Sequence, residues 1–193
     1  MATRLPADQR REQLLDATKT IAAHKGFHAV SIEGVAREAG ITRPIVYGHF
    51  RDLSKLLEAL VERESARALN QLATVLAPQL DLEDPQDRML EGLRAYLETV
   101  SADPETWRLV LMPAEGAPSS LHRQIEEGRD AIVGQLAGAV RPGLDPPDPE
   151  LTARMLSAFA DEAARLHLRD PESYSVERLI GHTSWALARF GTT

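Results

Sequence analysis

The residues best suited to contact another molecule form one short segment of the chain. Arg43 carries a forked guanidinium that can match the O6 and N7 acceptors of guanine in a major groove. Pro44 and Ile45 are apolar and can pack against thymine methyl groups. Tyr47 can reach a phosphate with its hydroxyl, and Gly48 allows a backbone to approach closely. On a helix presented to a major groove, residue types in this order indicate contact with double-stranded DNA, whereas Arg43 and Tyr47 could instead belong to an ordinary solvated face.

Such side chains must be presented by a helix, and the sequence from Ser31 to Phe50 predicts a helix-turn-helix. Two short helices that cross at roughly 100° need a small residue at the crossing, which Ala36 supplies. The turn between them needs a residue that tolerates positive φ, which Gly40 supplies. Four apolar residues fall on the seam that the two helices would bury, namely Val35, Ala39, Ile41 and Val46.

Capping residues indicate where the two helices begin. Ser31 is the expected N-cap of a helix over Ile32–Ala39, and Thr42 that of a helix over Arg43–Phe50. At 100° per residue the second helix has two faces. The residues that it turns towards the core are Val46, His49 and Phe50.

The rest of the chain also follows a helical period, and no segment shows the alternation of a strand. The predicted helices are Ala7–Lys25, Ile32–Ala39, Arg43–Phe50, Asp52–Ala77, Pro85–Ser101, Pro104–Met112, Ser119–Val140, Pro149–Leu168 and Ser175–Phe190. The proline-rich stretch 141–149 is expected to be a loop. We therefore predict an all-α fold of about nine helices. Residues 1–51 would form the helix-turn-helix domain and residues 52–193 a larger helical domain.

The composition excludes several kinds of site. The 193 residues include no cysteine, which excludes disulfides, thiolate metal sites, iron–sulfur clusters and a cysteine nucleophile. No metal-ligand spacing is present, so we expect neither a metal nor another cofactor. The N-terminus is polar, and no apolar run approaches the ~20 residues that cross a bilayer. We expect a cytoplasmic protein without a membrane partner.

The net charge of −7 is unevenly distributed. Residues 1–51 hold eight basic and five acidic side chains, for a charge of +3. Residues 52–193 hold 14 basic and 24 acidic side chains, for a charge of −10. A basic segment joined to an acidic body indicates one part that binds a polyanion and another with a different role. A short segment of charge +3 is also compatible with an ordinary protein surface.

Over about residues 8–60 the sequence resembles the TetR family of bacterial transcriptional regulators. The resemblance rests on Leu14-Leu15-Asp16-Ala17, Gly26-Phe27, Ser31-Ile32, Val35-Ala36, Ala39-Gly40-Ile41-Thr42, Val46-Tyr47, His49-Phe50 and Leu56-Leu57. It implies a three-helix DNA-binding domain and a larger helical domain that dimerises and binds a small effector. The implied function is a ligand-responsive regulator. In its simplest form it is a repressor that binds a two-fold-symmetric operator as a dimer and is released by its effector.

The resemblance also implies which residues contact DNA. The positions that it assigns to the DNA surface are Ser31, Thr42, Arg43, Pro44, Ile45, Tyr47, Gly48 and His49. The family often has a lysine three residues after Phe50, and this chain has Leu53 there. Lys55 is therefore expected to supply the phosphate contact, with Arg51 as the second candidate.

The effector site is expected among apolar side chains with a few polar groups between them. The candidates for that site are Met89, Leu93, Tyr96, Trp107, Met112, His122, Phe159 and Glu162. Arg129 and His167 are further polar candidates. Each aromatic residue or methionine in this set could instead belong to ordinary core packing.

The last two predicted helices are the candidates for a homodimer contact. The eighth is rich in alanine, which allows close approach, and the ninth carries an apolar stripe of Leu179, Thr183, Leu187 and Phe190. Family members usually pair these helices across a two-fold axis. Both helices could instead complete the core of a single chain.

Two other functional classes remain as alternatives. An all-α enzyme with a helical small-molecule pocket would need a nucleophile–base pair or a metal cluster, and the sequence offers neither. A nonspecific DNA-compacting protein would fit poorly with the acidic body. We therefore expect no enzymatic activity.

Overall fold

A computed structural model of the chain describes residues 5–76, 82–112 and 119–190. In these ranges the chain forms nine α-helices and one short 3₁₀ helix, Phe27–Ala29, and no strand, which confirms the predicted all-α class. The α-helices are α1 (Ala7–Lys25), α2 (Ile32–Glu38), α3 (Arg43–His49), α4 (Leu53–Leu76), α5 (Pro85–Ala102), α6 (Pro104–Leu111), α7 (Ser119–Leu144), α8 (Pro149–Arg169) and α9 (Val176–Phe190).

The bounds agree with the sequence prediction to within two residues except at the end of α7. The predicted loop over 141–149 is wrong for its first four residues, because α7 continues to Leu144. The helix ends at Asp145, whose φ of +38° lies in the left-handed region where helices commonly stop. The proline and glycine in this stretch predict the end of a helix. The helix continues through them because the fixed φ of proline is compatible with helical backbone. The predicted end of α4 at Ala77 lies outside the described residues.

The first hydrophobic core joins the three N-terminal helices to the start of α4. Leu14 of α1, Val35 of α2 and Val46 of α3 are fully buried. Leu56 and Leu60 of α4 pack into the same cluster. Because α4 continues past this cluster into the second one, it connects the N-terminal helices to the rest of the described chain. The division into domains at residue 51 stays a prediction.

The second core lies among α4, α5, α6, α8 and α9. Its largest buried side chain is Trp107, whose ring meets the edge of the Tyr96 ring at a centroid distance of 5.3 Å. Small residues let α8 approach this cluster, and two of them, Ala163 and Ala164, are buried in it. Within the described ranges, no helix is both long and apolar enough to cross a membrane.

Candidate DNA-binding surface and effector cavity

The turn between α2 and α3 has the geometry that the sequence predicts. The hydroxyl of Ser31 accepts a hydrogen bond from the backbone N–H of Gly34 at 3.0 Å, so Ser31 caps α2. Gly40 has a φ of +66°, which a side chain would disfavour. The backbone N–H of Ile41 donates to the carbonyl of Ala36 at 2.9 Å and closes the turn. These bonds hold α3 at a fixed angle against α2.

Helix α3 buries one face and exposes the other. Val46 is fully buried and Phe50, directly after the helix, is 3% exposed. Arg43, Pro44 and Gly48 are exposed, as are the large side chains of Ile45 and Tyr47. Five of the six DNA-contact candidates on this helix, all except His49, therefore lie on its solvent side, which is the arrangement that a major groove requires.

The remaining DNA-contact candidates lie around this helix. Thr42 is exposed at the N-cap position of α3, but its side chain makes no capping hydrogen bond. His49 is half-buried at the end of α3. Gly48 faces open space, with no atom within 4 Å of the position that a Cβ would occupy. A second surface could therefore approach the backbone at Gly48 closely.

The candidate phosphate contact at the start of α4 is already paired. The Nζ atom of Lys55 lies 2.6 Å from a carboxylate oxygen of Glu58, one turn further on. The hydrogen bond and the charge of Glu58 raise the pKa of Lys55. Lys55 remains exposed, so it would have to turn from Glu58 to reach a phosphate. Arg51, the second candidate, is exposed just before α4.

The sequence did not predict that a further basic residue, Arg11, lies near the end of the DNA-facing helix. The guanidinium of Arg11 lies over the ring of Phe50, 4.5 Å from its centroid. This cation–π contact ties α1 to the end of α3. The two residues are 39 positions apart in the sequence. Helix periodicity predicts the face of the helix on which a residue lies, but it does not predict which residues of another helix that face contacts.

A network of charged side chains joins α1 to α4 and α6, and we call it the α1–α4–α6 junction. Lys19 of α1 lies 3.7 Å from a carboxylate oxygen of Asp103 and 4.0 Å from one of Glu64. Glu64 is 2% exposed and accepts hydrogen bonds from Thr106 at 2.5 Å and from Arg63 at 2.8 Å. A buried carboxylate needs such partners, because an unpaired one would be costly.

Asp103 connects the α1–α4–α6 junction to the second core. It accepts hydrogen bonds from Arg67 at 2.5 Å and from Gln71 at 3.0 Å. Burial opposes ionisation of Asp103, but these hydrogen bonds and the charge of Lys19 outweigh it and lower its pKa. Gln71 in turn accepts a hydrogen bond from the indole N–H of Trp107 at 3.0 Å. A continuous polar path therefore runs from Trp107 to Lys19 of α1.

Two adjoining cavities lie between α4, α5, α6, α7 and α8. The smaller cavity encloses about 540 Å³ of empty space and the larger about 950 Å³, with the solvent at their mouths included. Both are lined by Leu72, Tyr96, Ile132, Ser157 and Asp161. The walls of both cavities are mainly apolar, which is the lining that small organic ligands favour.

The structure brings five of the eight effector candidates to these cavities. Met89, Leu93 and Phe159 line the larger cavity, Trp107 lines the smaller one, and Tyr96 lies between them. Three candidates lie elsewhere. Met112 is half-buried against the second core, His122 is exposed on α7, and Glu162 is exposed on α8, 3.1 Å from Arg165.

The polar groups of the cavities centre on Asp161. Its carboxylate accepts hydrogen bonds from the hydroxyl of Tyr96 at 3.2 Å and from Arg129 at 3.0 Å. Burial is the largest cause of the raised pKa of Tyr96, and the charge of Asp161 adds to it. Ser65 and Gln124 also line the smaller cavity. The sequence did not predict a role for these two residues or for Asp161. The three residues come from different helices, and helix periodicity does not predict how those helices pack together.

Helices α8 and α9 carry large apolar side chains on their surface. On α8 these are Leu151, Met155 and Phe159, which are spaced four residues apart and are each more than half exposed. On α9 Trp185 is 51% exposed. The apolar stripe predicted for α9 is not fully exposed for a partner. Thr183 is buried within this chain, and Leu179 packs against the second core. Leu187 is half-buried, and the side chain of Phe190 lies outside the described residues.

Comparison with known proteins agrees with this architecture. The family model for bacterial regulatory proteins of the tetR family matches residues 14–60. The transcriptional activator FasR of Mycolicibacterium smegmatis is 24% identical over 169 residues, covering 86% of this chain and 76% of its own. The uncharacterised transcriptional regulator Rv0472c of Mycobacterium tuberculosis is 28% identical over 188 residues, covering 92% and 76%.

A solved structure shares the whole fold. The TetR-like transcriptional regulator from Rhodococcus sp. RHA1 superposes with a TM-score of 0.75 at 24% identity, covering 96% of this chain and 99% of its own. The match of the helix-turn-helix to a regulatory family and the similarity to named transcriptional regulators indicate a DNA-binding transcriptional regulator. Residues 14–60 are those of the tetR family of bacterial regulatory proteins, and the whole chain is similar to transcriptional regulators over most of its length.

Proposed function

We propose that this regulator is a ligand-responsive repressor that acts in the cytoplasm and binds a two-fold-symmetric operator as a homodimer. The observation that carries the proposal is the exposed face of α3, where Arg43, Ile45 and Tyr47 stand free of the core. A single three-helix DNA-binding domain makes few contacts with DNA by itself. Specific operators are therefore usually read by two copies, whose symmetry matches that of the DNA.

The exposed apolar residues of α8 and α9 support a dimer through these helices. A single chain leaves Met155 and Trp185 largely in solvent, at a cost of about 25 cal/mol for each Å² of apolar surface that a partner could cover. Ala158 and Gly181 are exposed on the same two helices, and their small size allows a second copy to come close. An isologous contact would bring each residue of this surface against the same surface of the partner.

The cavities support a small-molecule effector, and the α1–α4–α6 junction supports its effect on DNA. Trp107 lines the smaller cavity and is connected through Gln71 and Asp103 to Lys19 of α1. A ligand that displaces α6 would change these bonds and the angle of the DNA-binding helices. Such a ligand shifts the population towards a state whose two α3 helices no longer match the spacing of successive major grooves.

In vitro transcription tests whether the regulator represses. An operator selected from random duplex DNA is placed across the promoter of a template, and transcripts are counted with and without the protein. Repression predicts that transcript yield falls as the operator fills, while a template with a scrambled operator is unaffected. A rise in transcript yield would assign this protein to activators, as FasR is named.

A further inference from the structure

Two buried polar atoms in the smaller cavity lack a hydrogen-bond partner. Among the side chains that the structure describes, these are the hydroxyl oxygen of Ser65 and the amide oxygen of Gln124. Both residues line the smaller cavity, Ser65 from α4 and Gln124 from α7. A buried polar atom without a partner costs about 1–3 kcal/mol, so folded proteins rarely retain one without a reason.

The hydroxyl of Ser65 differs from comparable hydroxyls in the same structure. Thr18, Thr99, Ser101 and Thr183 are all in helices, and each donates to the backbone carbonyl four residues earlier at 2.7–2.9 Å. This bond is the usual way for a helical hydroxyl to satisfy itself. Ser65 does not make it and therefore keeps its hydroxyl available to the cavity.

The charged side chains that line the smaller cavity are already paired with protein groups of opposite charge. Arg129 lies 3.0 Å from Asp161 and 3.1 Å from Glu126. Asp161 also accepts from Tyr96 and lies 3.7 Å from Arg165. An ionic ligand would have to break one of these pairs.

The rest of the smaller cavity is largely apolar. Its wall contains Ala68, Leu69, Leu72, Val110, Ile125 and Ile132. An apolar ligand body would be favoured here at about 25 cal/mol for each Å² removed from water. The polar contribution to specificity must then come from the few hydrogen-bonding groups in the wall.

We propose that the effector is an uncharged molecule with an apolar body and a hydroxyl group that bonds to Gln124 and Ser65. The proposal rests on the proposed function, because it identifies the ligand class of the effector cavity. A hydroxyl donates to the amide oxygen of Gln124 and accepts from the hydroxyl of Ser65. A carboxylate has no hydrogen to donate to that oxygen, and an ammonium group would need a carboxylate that the protein has not already paired.

The test compares three probes with the same apolar chain, namely octan-1-ol, octanoate and octylammonium. Each is titrated into the full-length protein at pH 7, followed by calorimetry and by the fluorescence of Trp107. The variant Trp185→Phe leaves Trp107 as the one fluorescent tryptophan, since the chain has two. We expect octan-1-ol to bind at least tenfold more tightly than either ion, because sites built for a hydroxyl discriminate strongly against ligands lacking it.

A pair of variants isolates the hydrogen bond. Gln124→Leu keeps the size of the side chain but removes the acceptor, and we expect it to weaken octan-1-ol binding at least fivefold. Gln135→Leu makes the same change at an exposed position of α7 and should leave binding unchanged. Ser65→Ala should weaken octan-1-ol binding to a smaller extent, because one of the two hydrogen bonds remains.

The proposal is overturned if none of the probes binds, if either ion matches the alcohol, or if Gln124→Leu binds the alcohol as well as wild type. These outcomes are separate from failure of the proposed function, since operator binding is measured on the same samples without probe. A protein that binds its operator and fails the probe tests retains the proposed function and loses the ligand class. If the alcohol binds as expected but no operator is found, the ligand class stands and the regulatory role fails.

Discussion

At the scale of single residues, the face of α3 proposed to contact DNA consists of side chains that have no role in the core. Arg43, Ile45 and Tyr47 are exposed, while their neighbour Val46 is fully buried. Substitution on the exposed side should therefore change DNA binding and leave folding intact. This separation makes the DNA-contact assignments directly testable.

Arg43→Ala should weaken operator binding by about 1–3 kcal/mol and relax preference at one base pair of each half-site. The reason is the loss of a forked donor pair that can match guanine. Binding is measured at fixed salt against the operator and against variants of each base pair. Arg94→Ala on α5 removes the same charge far along the chain and is the matched control. Unchanged affinity of Arg43→Ala would remove α3 from the major groove.

Gly48→Ala should stabilise the protein and weaken its binding to DNA. The added methyl group meets no protein atom within 4 Å, and alanine is favoured over glycine in a helix by about 0.5–1 kcal/mol. If the DNA backbone packs against Gly48, the methyl group should cost about 1–3 kcal/mol of binding, as in an overpacked core. Urea unfolding and operator titration measure the two effects.

Gly138→Ala provides the control for this pair of effects. Gly138 lies in α7 with nothing within 4 Å of its added Cβ, so the variant should gain helix stability alone. Operator affinity that is equal in Gly48→Ala and wild type would show that no DNA atom approaches this glycine.

At the scale of helices, the sequence predicted the elements well and their meeting points poorly. Local signals define both ends of α2, since Ser31 caps one end and Gly40 follows the other with positive φ. The end of α7 depends on Asp145, a residue type that rarely marks positive φ by itself. Ser65 and Gln124 come together only because α4 packs on α7, which helix periodicity does not encode.

Asp103→Asn should destabilise the protein at neutral pH by about 1 kcal/mol, because hydrogen bonds to a charged acceptor are stronger than those to a neutral one. The folded state lowers the pKa of Asp103. Its contribution is therefore fully present above the pKa of the unfolded chain, and it is lost as the pH falls through the lower folded value. The stability difference between wild type and variant should shrink below about pH 4.

Urea unfolding at matched protein concentration between pH 7 and pH 3 measures this difference. Asp148→Asn is a suitable comparison, because Asp148 caps α8 at an exposed position away from the α1–α4–α6 junction. A difference for Asp103→Asn that stays constant down to pH 3 would mean that the charge of Asp103 does not stabilise the junction.

At the scale of the whole molecule, the proposed function requires two copies, and the surface proposed for pairing was only partly predictable from the sequence. The sequence predicts a contact through α8 and α9 that includes Thr183, and that residue is buried within the single chain. Met155 and Trp185 are the exposed apolar residues instead. Hydrophobic periodicity indicates the apolar face that a helix packs against its own chain. A second apolar face, left for a partner, is recognisable only once the structure shows which residues the first face buries.

Met155→Asp should yield monomers and abolish operator binding while the N-terminal helices stay folded. In a two-fold contact the new charge would be buried near its own copy, at a cost of several kcal/mol. Sedimentation velocity measures the assembly, and circular dichroism measures the helix content. Ala73→Asp introduces the same charge at an exposed position of α4 and should remain dimeric. An undiminished dimer in Met155→Asp would place the contact elsewhere, with α7 as the next candidate.

The central claim is that a dimer of this chain reads a two-fold-symmetric DNA sequence through α3. The most direct test is selection from a pool of random duplex DNA by the full-length protein, with Arg43→Ala selected in parallel. The account predicts an enriched inverted repeat whose half-sites are separated by about one helical turn, ~10 base pairs, or a multiple of it. It also predicts that Arg43→Ala loses preference at one symmetric pair of positions. Enrichment of no sequence, or of a site without two-fold symmetry, would contradict the account.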